Sequence, residues 1–178
     1  MATATNTTTF AVDQAHTDVE FSVRHMGIST IRGRFTKFSG SLDVEGERVV
    51  GAKAEIVASS IHTKEEQRDQ HLRSGDFFDV EKYPSITFVA HEASEMGQGR
   101  YRMVGELSMH GVTKNVTMDL EASRPIKDPS GARRIGFSAE GSVDRRDFGL
   151  TWNAVVEAGG LMVGHEVKLH LSGEATAE

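Results

Sequence analysis

Residues 65 to 84 read EEQRDQHLRSGDFFDVEKYP, and within them Asp69, His71, Ser74 and Asp76 are the residue types of a hydrolytic triad. Such chemistry needs a serine hydroxyl against one imidazole nitrogen and a carboxylate against the other. The spacing weighs against it. Thr63 and Glu66 stand at capping-box spacing and Gly75 offers a C-terminal stop, so the stretch between them reads as a helix. At about 100° per residue, Asp69 and His71 point to nearly opposite sides, and only His71 and Ser74 are neighbours. Asp76, beyond Gly75, is the one carboxylate able to swing back. The plainer reading is a solvated charged helix in which Asp69 and Arg73 form an i,i+4 pair worth about 0.3 to 0.5 kcal/mol.

A second candidate is His165-Glu166-Val167-Lys168-Leu169-His170, which resembles the zinc-protease pattern HExxH with one residue too many. On a strand, positions five apart face opposite sides, so these two histidines cannot share a metal. The remaining route to a metal site is an assembly from His16, His25, His62, His71 or His165, but dispersed histidines are more often structural or exposed, and no metal is expected. His25 shares parity with Val19, Phe21 and Val23, which points it inward, either as a hydrogen-bonded core residue or as a ligand contact.

Composition narrows the classes. The 178 residues carry a formal charge of -6, with no segregated basic surface for a nucleic-acid backbone. The absence of cysteine excludes disulfides, thiolate metal sites and a cysteine nucleophile. No phosphate loop or dinucleotide fingerprint is present. No apolar run approaches the roughly 20 residues that span a bilayer, so no integral membrane segment is expected. Residues 1 to 9 show neither a basic n-region nor an apolar h-region; they read as a disordered lead-in to a single domain over 10 to 176, and the chain as given reads as cytoplasmic.

The elements that must position any site are strands. Period-two alternation recurs at Val19 to Val23, Phe38 to Val44, Ala52 to Ile56, Ile86 to Ala90, Met103 to Leu107, Val116 to Ala122, Ile135 to Val143 and Val167 to Leu171. Turn residues at Gly46, His110-Gly111 and Asp128 to Gly131 separate several of them. About eight long, even strands predict an all-β fold, an up-and-down antiparallel barrel in preference to a sandwich, because closure removes exposed edges. Such a barrel either fills with side chains or holds one small ligand. Glycines 33, 40, 105, 136 and 141 fall inside strand patterns and suit a curved wall. The helix near residue 70 carries one large apolar residue, Leu72, so it lies over the barrel as a cap, anchored by Leu72, Phe77 and Phe78 and held by whatever partners Arg68 and Asp69 find.

Five runs go further: DQAHTDVEFSVRHMGISTIRGRFTKFSG (13 to 40), RDQHLRSGDFFDVEKYP (68 to 84), HGVTKNV (110 to 116), DRRDFGL (144 to 150) and VGHEVKL (163 to 169). Together, in this order and over nearly the whole chain, they resemble the YceI-like lipid-binding family. The resemblance implies an extended eight-stranded lipocalin-like barrel, with one short helix capping it, around a long polyisoprenoid chain such as that of an isoprenoid quinone or a polyprenyl phosphate. It implies a bacterial, non-catalytic carrier with no cofactor beyond its lipid. Members are often periplasmic, so this chain is either a cytoplasmic member or one whose leader has been removed. His62 and His165 stand where the family pattern has aspartate, and Asn115 where proline is common. A histidine there makes local charge sensitive near neutral pH.

For a polyprenyl ligand, Phe21, Val23, Phe38, Phe88, Met103, Leu107, Met118, Leu120, Phe137, Leu169 and the indole of Trp152 are the expected lining. Burial contributes about 0.8 kcal/mol per CH₂, so the chain can be held without a specific polar contact. Transient membrane contact and a homodimer are compatible arrangements. Two other classes stay open: an enzyme using Asp69, His71 and Asp76 in the 62 to 79 segment, and an interaction module with a filled core.

Overall fold

The computed structural model describes residues 6–177, so Met1 to Thr5 of the expected lead-in lie outside the described residues. Its last three residues are not a lead-in. Strand β1 (Thr7–Val12) already pairs Thr7 with Glu45, the Thr7 and Thr9 hydroxyls donate to Glu45 and Asp43, and Phe10 is fully buried. A run of β-branched threonines with hydroxyls facing acids on the next strand reads as disorder by composition but has strand propensity and cross-strand partners.

The other strands are β2 (Asp18–His25), β3 (Ser29–Phe35), β4 (Phe38–Glu45), β5 (Arg48–Val57), β6 (Ile61–His62), β7 (Ser85–Gly97), β8 (Arg100–Met109), β9 (Val112–Ala122), β10 (Ile126–Lys127), β11 (Arg133–Asp144) and β12 (Val163–Ala177). They form one antiparallel sheet in the order β10-β11-β9-β8-β7-β5-β4-β1-β12-β2-β3-β6, closed by a β11–β12 pairing. These segments reduce to eight wall strands. Val12 pairs with Ala175 and Asp18 with Ser172, so β1 and β2 follow one path along β12, broken by a 3-10 turn at Gln14–His16. β3 runs on into β4 beside that path, and β5 into β6 beside β3 and β4. The eight are thus β1+β2, β3+β4, β5+β6, β7, β8, β9, β11 and β12, with β10 a short hairpin arm on β11. Among the described residues the fold is a closed eight-stranded antiparallel barrel of the lipocalin-like kind, with one α-helix.

Closure rests on Arg133 to Asp144 paired with Ala177 to Glu166, whereas β9 meets β11 only from Asp119 to Ala122. Bulges at Ala90/Glu92 and Val163/Val167 add the local twist that lets long strands coil round the axis. Apolar residues on the inner parity make two clusters. One, around Phe10, Val49, Tyr101 and Ile135, closes one end of the barrel; the other, around Phe35, Ile61, Ile86 and Phe148, lies toward the helix. Phe88, Leu169 and Leu171 pack against both.

Helix α1 (Glu66–Arg73) is capped differently from expectation. Glu65 is its N-cap, accepting from the Gln67 and Arg68 amides at 3.2 and 2.6 Å, and Ser74 in extended conformation ends it in place of Gly75. Thr63 lies two residues before the cap and does other work.

Candidate functional site

Between the two clusters runs a tunnel of about 220 Å³. That is below the several hundred Å³ usual for compact ligand pockets. Yet its wall extends from Leu42 and Leu120, in the cluster at the closed end, to Leu72, Phe77 and Leu150 under the helix. The space is therefore long and thin. Phe21, Val23, Phe38, Phe88, Met103, Leu107, Met118, Leu120, Phe137 and Leu169 all border it. Their shared parity puts them there, since alternate residues of every wall strand face the axis. His25 does not border it; it is the last residue of β2, half-buried opposite Val163.

Trp152 does not border it either. It sits in the segment between Gly149 and Val163, where strand alternation has no force, and its indole packs edge-on to His71 at 4.7 Å and against Phe77 at 5.3 Å between centroids. Its ring rests on the cap, behind Phe77, and its carbonyl accepts from Arg145.

Two glycines shape the wall. A Cβ at Gly105 would lie 2.6 Å from the Phe88 ring and from the Val89 carbonyl oxygen, and one at Gly33 would run into the Phe21 ring. Each glycine lets an inward aromatic ring fold flat across the neighbouring strand, which keeps the bore open.

The cap is fastened by the residues that looked catalytic. Asp69, buried at 3 % exposure, accepts from the Thr63 amide at 2.9 Å and the Thr63 hydroxyl at 2.5 Å. Arg68 donates from Nε to the Thr63 hydroxyl and from Nη2 to the Thr63 carbonyl, both at 2.8 Å. The expected Asp69–Arg73 pair is not formed: Asp69 turns to Thr63, and Arg73 donates to the Ser59 and Ile61 carbonyls at 2.9 and 3.0 Å and pairs with Glu66 at 3.6 Å. Leu72, Phe77 and Phe78 then face the tunnel.

Asp76 does swing back, reaching His71 Nε2 at 2.8 Å. The serine does not join them. Ser74 Oγ donates to the His71 main-chain carbonyl at 2.6 Å, as a residue closing a helix does. A solvent-accessible dyad forms on the cap, its imidazole edge-on to Trp152 and Phe77, and the hydroxyl faces backbone.

The candidate histidines stay apart. His62 Nδ1 accepts from the Lys64 amide at 3.0 Å, and His170 faces Glu140 at 3.3 Å, while His165 lies on β12. His16 joins Asp13 and Glu174, whose ligand atoms lie within 4.8 Å of one another. Arg134 donates to both of those acids and to Asp128, so a cation already compensates the group. The Ser130 hydroxyl and Arg134 hold the Asp128 carboxyl down to about 2, and His16 leads in lowering that of Asp13.

One functional candidate was not singled out in the sequence. Arg145, in the 3-10 turn Arg145–Phe148 that follows β11, is 4 % exposed and borders the tunnel. It donates to the carbonyls of Gly164, Leu150, Trp152 and Val163 at 2.8, 2.6, 3.0 and 3.3 Å. Its neighbour Arg146 instead takes Asp144 in a bidentate pair, which brings the Asp144 carboxyl down to about 2. In the run Asp-Arg-Arg-Asp the two arginines look alike; only the fold sends one inward. The following Phe-Gly-Leu was the available signal, because Phe148 and Leu150 are both buried and carry the turn into the core.

Comparison with known proteins agrees with this geometry. The family model for the YceI-like domain matches residues 10–175. A UPF0312 protein of Staphylococcus aureus is 36% identical over 170 residues, covering 94% of this chain and 96% of that one. The crystal structure of the Campylobacter jejuni YCEI protein superposes with a TM-score of 0.76 at 30% identity, over 94% of this chain and 96% of that one. At the level of fold alone, a structure described as a polyisoprenoid binding domain from Saccharophagus degradans has a TM-score of 0.69 at 17% identity, over 97% of this chain and all of that one, 100%. With the family model spanning nearly the whole barrel and relatives matched nearly end to end, this chain belongs to the YceI-like family.

Proposed function

We propose that this protein binds a long-chain polyisoprenoid lipid, of the isoprenoid quinone or polyprenyl phosphate type, inside its barrel, and serves as a non-catalytic carrier or store for it. The observation that carries the reading is the tunnel itself: a thin, long space bordered by apolar side chains from all eight wall strands and closed by Leu72, Phe77 and Phe78 of the cap. A flexible prenyl chain suits that shape, and its burial supplies the affinity at about 0.8 kcal/mol per CH₂ before ordering costs. The description of the Saccharophagus degradans domain as polyisoprenoid binding supports the same reading. A binding role in preference to turnover is supported by the cap, where the carboxylate of Asp69 holds Thr63 and the hydroxyl of Ser74 faces a backbone carbonyl. No helix among the described residues is long and apolar enough to cross a membrane. Transient contact with a bilayer is the route by which such a carrier loads.

The test is organic extraction of the purified protein followed by mass spectrometry, with a second sample incubated with a mixture of prenyl lipids. A prenyl species recovered in stoichiometric amount supports the function. A clean extract, with no uptake on incubation, overturns it.

A further inference from the structure

The four carbonyl partners of Arg145 satisfy N–H groups and leave its charge unpaired. Of the charged residues bordering the tunnel among the described residues, Glu20 and Lys53 are exposed, and Arg145 alone is buried. Carbonyl oxygens satisfy N–H groups but carry no net charge, so the guanidinium keeps a whole positive charge inside an apolar space. The nearest carboxylate in sequence, Asp144, is occupied by Arg146, and no carboxylate among the described residues lies within ion-pair distance of Arg145. Nη2 donates once, to Val163, and retains a second N–H. Fully buried charges are ordinarily paired.

Position adds the second half. The carbonyls that grip Arg145 belong to Leu150, Trp152, Val163 and Gly164, and the Trp152 ring packs on Phe77 of the cap. Arg145 therefore sits at the capped end of the tunnel, opposite the end closed by Phe10, Tyr101 and Ile135. A chain threaded tail-first toward the closed end would leave its polar terminus beside the guanidinium.

We propose that Arg145 is the counter-charge for an anionic head group, phosphate or carboxylate, on the terminus of the bound chain, which fixes the lipid with its head under the cap and its tail at the closed end. This rests on the lipid-binding reading above and sharpens it from an apolar chain to an acidic amphiphile. A guanidinium already held in a fixed orientation loses little freedom when it meets a planar or tetrahedral oxyanion.

The experiment compares wild-type protein, stripped of lipid, with three probes: a polyprenyl phosphate, the polyprenol of identical chain length, and inorganic phosphate. Trp152, the only tryptophan, lies next to the proposed head-group position and reports binding by fluorescence. The proposal expects the phosphate ester to bind about tenfold or more tighter than the alcohol, with inorganic phosphate far weaker than either, and expects Arg145→Gln to bring the ester-to-alcohol ratio close to one. Equal affinity for ester and alcohol in the wild type overturns the head-group site while leaving the lipid tunnel standing. Inorganic phosphate binding as tightly as the ester overturns it in favour of a simple anion site. Failure of both prenyl probes overturns the tunnel reading and this one together. The wild-type comparison decides the matter even where Arg145→Gln does not fold.

Discussion

The Thr63 hydroxyl donates to Asp69 Oδ1 over 2.5 Å with both residues buried, and this contact joins the end of β5+β6 to the middle of the cap helix. A carboxylate that receives a hydroxyl and an amide from one residue, while Arg68 donates to that same hydroxyl, is a clasp. The helix has one large apolar residue and eight positions, too few to stay folded on its own side-chain burial. It is held by this polar attachment together with the packing of Leu72, Phe77 and Phe78 beneath it.

Breaking the clasp should therefore loosen the cap before the barrel. Asp69→Ala leaves the Thr63 amide without an acceptor, and a cost of about 1 to 3 kcal/mol is expected. Amide exchange should accelerate across Gln67 to Arg73 and stay slow in β11 and β12. Equal acceleration in all of these would show that the cap is not a separate unit.

Gly105 should not tolerate a methyl group. An added Cβ meets the Val89 carbonyl, which is backbone and cannot swing away, and also drives the Phe88 ring into the bore. Gly105→Ala is expected to destabilise by about 1 to 3 kcal/mol in denaturant unfolding and to lower lipid uptake. Unchanged stability and uptake would mean that the strand shifts freely there.

Tunnel length should select chain length. Ala139 borders the tunnel and pairs with Leu120 and Leu171, so Ala139→Phe places a ring in the bore toward its closed end. Uptake of long polyprenols should fall at least tenfold while short prenols still bind, measured by competition across a series of lengths. A uniform loss across the series would point to misfolding, which circular dichroism separates.

Acid should weaken the clip around Arg134. Asp128 is held at about 2 against an ordinary 3.8, so it binds a proton more readily unfolded than folded. Its contribution is complete above about pH 4 to 5 and is lost as pH falls toward 2. Asp128→Asn should therefore be less stable than wild type at neutral pH, with the gap closing between pH 4 and 2 in unfolding titrations. A gap that is constant over that range contradicts the assignment.

Much of this was legible in the chain. The inner parity of Phe21, Phe38, Met103, Met118 and Leu120 follows from alternation, because a strand has only two faces and one of them must be apolar. Trp152 was misplaced because it lies in an irregular segment, where no period applies. Local spacing offers Asp69 a place in holding the cap but only Arg73 as a named partner, and makes Thr63 a helix cap, because it cannot show that the segment folds back onto Ser59 to Thr63. Arg145 and Arg146 are indistinguishable by type, and their separation into a buried and an exposed residue is set by Phe148 and Leu150. Thr7 to Thr9 read as a tail because three threonines in a row show no alternation of apolar and polar residues before Phe10.

The central claim is that a prenyl chain occupies the tunnel, and the methionines test it directly. Met103, Met109 and Met118 border the tunnel, whereas Met26 and Met96 are exposed at 41% and 54%. With the methionine methyls labelled with ¹³C, titration of lipid-free protein with a polyprenol should shift the three tunnel resonances and leave those of Met26 and Met96 in place. Shifts confined to Met26 and Met96, with the tunnel methyls unmoved at saturation, would contradict the account.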